Sequence, residues 1–148
     1  MVTKIMHAGQ MLALILDSEF KREGIHFLTP DSFSQQLGYM YRPSGYTIPP
    51  HVHNPVDRAV SYTHEVLFIK SGRVRVDFYD DSRSYLESRI VKAGDVLLLA
   101  SGGHGFEMLE PSEIIEVKQG PYAGEGDKTR FTAVPSELVR ITEGGLLR

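Results

Sequence analysis

The stretch HEVLFIKSGRVRVDFYD (residues 64–80) decides how this chain is read. Two runs rich in β-branched and aromatic residues flank Ser71-Gly72, and in the second Val74, Val76 and Phe78 alternate with polar residues. Period-two alternation marks a strand with one buried face. A Ser-Gly pair between two such runs predicts a β-hairpin. On its first strand Glu65 shares a face with Leu67 and Ile69, so a carboxylate enters an apolar row. Such a group is costly to bury unless a cation or a hydrogen-bond donor meets it.

Similar runs lie on both sides. MLALIL (11–16), IHFLT (25–29), QLGYMYR (36–42) and TIPPHVH (47–53) precede it, the last with two prolines that suit an edge strand or a strand entrance. YLESRIVKAGDVLLLAS (85–101) repeats the hairpin pattern around Ala93-Gly94-Asp95, and HGFEML (104–109) and SEIIEVKQG (112–120) add two strands. The charged tract DDSRSYLESR (80–89) reads as a solvated hairpin. PSELVRI (135–141) reads either as a short C-terminal helix capped by Ser136 or as an extended tail. Eight or nine short strands predict an all-β fold in one domain spanning 1–148, with 130–148 peripheral. A closed barrel, a jelly roll and an open β-sandwich all fit this pattern.

Composition narrows the function. The 148 residues carry a net charge of −3 with no dense basic run, which argues against nucleic acid as a partner. No apolar run is long enough to span a bilayer, and no secretory signal is visible, so a cytoplasmic location is the expectation. The chain has no cysteine, which excludes disulfides, thiolate ligands and cysteine nucleophiles. GPYAGEGDKT (120–129) lacks the Gly-Lys-Ser/Thr of a phosphate loop, and no Gly-x-Ser-x-Gly elbow exists.

Histidine is scarce, with six in the chain, yet three fall in HVHNPVDRAVSYTHEV (51–66) beside Glu65. On an extended segment His51 and His53 project together, offering two imidazoles on one side. His104 follows the turn Gly102-Gly103 and shares its face with Phe106 and Met108, which points it inward. Taken singly, each of these side chains is as readily a solvated or hydrogen-bonded residue. Asp57 and His64 are competing ligand candidates beside Glu65, but His64 points away from Glu65's face in a common strand. Tyr39 and Tyr41 share a strand face that would suit a ligand-cavity mouth, with packing as the plainer role. Ile115, Val117 and Gln119 share another face, which would bring the Gln119 amide near the interior to bind a substrate or to serve structure.

The order of these residues resembles the two motifs of the cupin superfamily. The first reads Gly45, YTIPP, His51-Val52-His53, then Glu65, VLFIKS, Gly72; the second reads Gly94, DVLLL, Ala100-Ser101-Gly102, Gly103, His104, and extends to Met108. Three departures stand out: an insertion at 54–64 between His53 and Glu65, Ala100 in place of a proline with a shorter turn after it, and Met108 where an asparagine is usual. The resemblance implies a jelly-roll β-barrel and a divalent transition metal (Fe, Mn, Zn, Ni or Co) held by His51, His53, Glu65 and His104. Mixed nitrogen and oxygen donors suit any of these ions. It further implies a metal-dependent dioxygenase, or an isomerase or epimerase, acting on a small hydroxylated or sugar-like substrate. The alternative is a non-catalytic module that binds a small molecule or carbohydrate. A homodimer is expected on the same ground. EVKQGPYAGEGDKTRF is similar to a segment of small bacterial cupins linked to surface-polysaccharide biosynthesis. The 54–64 insertion, poor in large apolar residues, is expected to be a lid or an exposed loop.

Overall fold

The computed structural model describes residues 1–143. The chain forms two compact units, Met1–Phe20 with Thr63–Arg148, and Lys21–Tyr62. The strands in chain order are β1 Val2–His7, β2 Gln10–Leu16, β3 Gly24–Phe27, β4 Gly38–Tyr41, β5 Glu65–Ser71, β6 Arg73–Tyr79, β7 Tyr85–Lys92, β8 Val96–Leu99, β9 Gly103–Met108 and β10 Glu113–Lys118. The all-β reading therefore holds, with every strand ladder antiparallel.

The first unit contains two sheets. One has the order β1-β2-β8-β5-β10, the other β7-β6-β9, and neither closes on itself. Their facing side chains form one core: Ile5, Leu12, Ala13 and Ile15 from β1 and β2, Leu67 and Ile69 from β5, Leu97 and Leu99 from β8, against Val74, Val76, Phe78 and Val91 from β6 and β7. Alternation explains the selection. Leu67 and Ile69 are buried while Phe68 and Lys70, which alternate with them, are exposed. The second unit carries the two-stranded ladder β3-β4, in which Tyr39 pairs with His26 and Tyr41 with Gly24.

The segment 64–80 is not a hairpin. β5 lies between β8 and β10 in the larger sheet, and β6 lies between β7 and β9 in the smaller one. Gly72 turns the chain out of one sheet into the other at φ +86°, where a Cβ would press on Ser112 and come within 2.5 Å of the Pro111 carbonyl oxygen. The turn at 93–95 makes a second such crossing, from β7 to β8, 100–102 a third, from β8 to β9, and 109–112 a fourth, from β9 to β10. The first two are tied together: Ala93 N–H donates to the Gly72 carbonyl (3.2 Å) and Gly94 N–H to the Ile69 carbonyl (2.7 Å). Asp95, buried, accepts from the backbone N–H of Ser18 and of Lys92. Turn residues mark a change of direction, but a sequence signal of this kind is the same whether the next strand pairs locally or in the opposite sheet.

The local hairpins are β1–β2, through Ala8-Gly9 at positive φ, β3–β4, and β6–β7, through 80–84. Only the tip of the charged tract 80–89 is thus an exposed hairpin loop, since Tyr85 onward is β7 and Ser88 is fully buried. TIPPHVH forms no strand, and 51–62 is without regular structure. Of the two readings of 135–141, the helix reduces to a single 3-10 turn, Ser136–Leu138, preceded by Pro135, with Ser136 within it rather than capping it. Beyond the turn the tail is extended and covers the edge of β7: Ser88 N–H donates to the Arg140 carbonyl and Thr142 N–H to the Ser88 carbonyl, each at 2.9 Å. Among the described residues no helix is long and apolar enough to cross a membrane.

Candidate functional site

A cleft of about 550 Å³ opens in the first unit where β5, β6 and β9 begin or end. Its floor is Glu65, the first residue of β5, and His104, near the start of β9. These strands belong to different sheets, so the pair bridges the gap between them. His104 Nε2 lies 3.2 Å from Glu65 Oε2; the Glu65 side chain is mostly buried and that of His104 partly exposed. Strand register sets both positions. Glu65 pairs with Leu99 on β8 and Lys118 on β10, and it leads the inward row continued by Leu67 and Ile69. His104 pairs with Phe78, whose ring is in the core. Phe106 and Met108 share the His104 side of β9, opposite Val76 and Val74, as alternation requires; β9 is a sheet edge, and both remain substantially exposed.

The electrostatics favour an ionised Glu65. The hydrogen bond from His104 holds its pKa below the ordinary carboxylate value of 4.5, against the opposing effect of burial, and the charges of His104, Lys118 and Lys128 add to the stabilisation. His64, one residue earlier, is buried, and burial lowers its pKa from 6.5.

The cleft walls come from further along the chain. Phe131 packs edge-on against Tyr79, with ring centroids 5.0 Å apart, and Val134 N–H donates to the Tyr79 hydroxyl at 3.0 Å. These contacts hold 128–134 over the end of β6. Thr63 donates its hydroxyl to Asp127 at 2.9 Å, anchoring the preceding turn, Gly124–Asp127. Gly102 adopts φ +69° with its Cα against the Tyr79 carbonyl, which leaves no room for a side chain and delivers the chain into β9 at His104. The 80–84 hairpin contributes Asp80, Asp81 and Arg83 to the rim.

The other expected site residues lie elsewhere. His51 and His53 belong to the second unit; their ring centroids are 5.3 Å apart, so they neighbour each other without a strand to align them. His51 Nδ1 is 3.1 Å from the Pro49 carbonyl, a contact that leaves Nε2 as the outward nitrogen. Among the described residues, neither unit by itself gathers three His, Asp or Glu side chains as a metal-holding group. Tyr39 is half-buried and Tyr41 exposed, with Lys21 Nζ 4.9 Å above the Tyr41 ring. Ile115 and Val117 pair with Phe68 and Val66, so their side of β10 is the face turned away from the shared core. Gln119, on that same alternation, donates its side-chain N–H to the Gly120 carbonyl at 3.3 Å. In the 54–64 insertion, Arg58, Ala59 and Val60 line a groove of the second unit together with Phe27 and Phe33, while Thr63 and His64 belong to the first.

Sequence reasoning missed Arg83, Lys128 and Phe131. No local pattern marks them, because only the tertiary paths of the 80–84 hairpin and of 127–133 bring them to the Glu65 cleft. Comparison with protein-family models, with curated proteins and with solved structures found no match.

Proposed function

We propose that this chain is a metal-binding protein of the cupin kind that takes a small hydroxylated or sugar-like molecule in the Glu65–His104 cleft. The observation that carries the reading is the 3.2 Å approach of carboxylate oxygen to imidazole nitrogen across the gap between two sheets. Two donors each ~2.1 Å from one ion are separated by roughly 3.0–3.4 Å in octahedral to tetrahedral arrangements. The pair is therefore already at ligand spacing, and Glu65 is held in the ionised form that ligation needs. His51 and His53, the further ligands that the cupin resemblance implies, lie in the second unit with their imidazoles adjacent and the His51 ring oriented through Nδ1. Such a mixed donor set suits Fe, Mn, Zn, Ni or Co. A jelly roll is the matching fold, supported by two antiparallel sheets that share a core and exchange the chain at four crossings.

When bound, the ion supplies Lewis-acid polarisation of a substrate oxygen, or redox chemistry with dioxygen. The chain's own residues do the rest. The hydrogen bond from His104, with smaller contributions from the charges of Lys118 and Lys128, keeps Glu65 charged, and the Tyr79–Phe131 wall shapes the space above it. An isomerase or epimerase and a dioxygenase are the reaction types proposed, with a homodimer and a place in surface-polysaccharide synthesis resting on the cupin resemblance alone. A second reading is a non-catalytic small-molecule module. It is favoured by one observation, that Glu65 and His104 already satisfy one another by hydrogen bonding.

Titration of metal-stripped protein with Co(II), followed by visible absorption, tests the ligand assignment. One saturable site, lost in both Glu65→Gln and His51→Ala, supports it. A spectrum indifferent to Glu65→Gln contradicts it.

A further inference from the structure

Arg83 occupies a backbone position that arginine disfavours. It sits at φ +67° in the β6–β7 hairpin, where glycine or asparagine is the ordinary choice. The loop enforces this geometry: Arg83 N–H donates to the Asp80 carbonyl at 2.9 Å, Asp80 N–H to the Ser84 carbonyl at 3.0 Å, and Ser84 N–H to the Asp80 carboxylate at 2.9 Å. Strain of this kind at the rim of a cleft is a reason to look for function.

The side chain is also placed. Its guanidinium carbon lies 5.9 Å from the centroid of the Phe131 ring, which Tyr79 fixes in turn. An aromatic face beneath a guanidinium orients it while leaving its N–H donors available. Among the described residues no carboxylate comes within ion-pairing range of Arg83, although Asp80, Asp81 and Asp127 line the same cleft. Asp80 is engaged by the Ser84 N–H and lies 3.9 Å from His7, and Asp127 is engaged by Thr63. Arg130 is spent on Glu125 at 3.1 Å. Lys128 has no ion-pair partner among the described residues either, and its charge is felt at Glu65.

We infer that Arg83, with Lys128, forms an oxyanion subsite at the cleft rim, so that the ligand of this cleft is a small molecule bearing a phosphate or carboxylate group. This deepens the reading above by naming the substrate class, and it rests on that reading only for the location of the ligand's other end. A bidentate fork on two oxyanion oxygens is what an unpaired, stacked guanidinium offers. Asp81 opposes the anion by charge.

The test is titration with inorganic phosphate and, separately, acetate, on protein both as purified and after metal removal, followed by amide chemical shifts. Arg83→Gly is the informative variant, because it relieves the positive φ and should raise the melting temperature while weakening anion binding about tenfold or more. Arg83→Lys should bind more weakly than wild type and more tightly than Arg83→Gly, and Asp81→Asn should bind more tightly than wild type. Whichever of phosphate and acetate saturates at the lower concentration identifies the head group. Anion affinity that is unchanged in Arg83→Gly overturns the proposal, as does shift perturbation confined to residues outside the cleft. Metal content does not enter this result, so loss of the metal reading and loss of the anion subsite are separable outcomes.

Discussion

Glu65 on β5 and His104 on β9 meet at 3.2 Å although 38 residues lie between them in the chain and their strands lie in different sheets. Three sheet-to-sheet crossings intervene, at Gly72, at 93–95 and at 100–102, so the pair depends on the whole first unit being folded. In metal-free protein a double-mutant cycle of Glu65→Gln and His104→Gln should give a coupling of about 1–2 kcal/mol, partial exposure of His104 keeping it below a fully buried pair. Denaturant melts of the four proteins measure it. Additive single effects would show that the two groups do not interact in solution.

The same pair sets part of the acid sensitivity. Glu65 has a folded-state pKa below 4.5, so it binds its proton less readily when folded than when unfolded. Its contribution is fully present above 4.5 and is lost as pH falls through the depressed folded value. Glu65→Gln should therefore flatten the acid limb of stability below that point. An unchanged limb in the variant assigns the acid sensitivity to other carboxylates.

His64 acts in a higher window. Burial lowers its folded pKa from 6.5, so between these values the unfolded chain takes up the proton and the folded protein does not. Stability should fall as pH drops from about 7 and level off once the folded value is passed. His64→Gln should remove this component, giving chemical denaturation midpoints that stay level from pH 7 to the onset of the carboxylate limb.

Gly72 carries the first sheet-switching corner. Replacing it by alanine imposes a Cβ at φ +86° against Ser112 and the Pro111 carbonyl, with an expected cost of about 3 kcal/mol. Gly126→Ala, where a Cβ meets nothing within 4 Å, should change stability by less than about 0.5 kcal/mol. Equal effects at the two positions would be inconsistent with the corner.

Tyr85 holds the extended tail. Its hydroxyl accepts from Arg140 N–H at 2.8 Å and contacts Ser88 Oγ at 2.8 Å, while Ser88 donates to Asp77, itself clamped by Arg75. Tyr85→Phe should cost about 1–2 kcal/mol. It should also speed amide exchange at Ser88 and Thr142, the two donors of the tail ladder. Exchange unchanged at those amides would mean that the backbone ladder alone keeps the tail in place.

How much of this the sequence discloses depends on the range of the interaction. Alternation or an apolar run marks β2 to β10 in the sequence: burial of one face leaves a period-two imprint on β5 and β6, while β2 and β8, almost wholly apolar and buried on both faces, show as unbroken runs. β1 was missed: VTKIMH has only Ile5 fully buried, so no alternation announces it. The Gly72 and Gly94 turns were visible, but hairpin and corner use the same residues, and the choice is made by which strand fills the neighbouring place in the sheet. At 47–53 Pro49 and Pro50 carry no N–H, which leaves TIPPHVH without a ladder although His51 and His53 still neighbour each other. Glu65 and His104 were legible as candidates because an ionisable residue in an apolar row is conspicuous. Arg83 and Lys128 were not, because a charged residue in a polar loop carries no local sign of the cleft that it borders.

The central proposal is that Glu65 and His104 hold a transition-metal ion, with His51 and His53 as the further ligands that the cupin resemblance implies. Elemental analysis of untagged protein purified without chelator, beside Glu65→Gln and a His51→Ala/His104→Ala double variant, tests it most directly. The account predicts close to one transition-metal ion per wild-type chain and a large loss in both variants, with folding confirmed by circular dichroism. Metal absent from the wild type even after reconstitution, or retained undiminished in the folded variants, would contradict it.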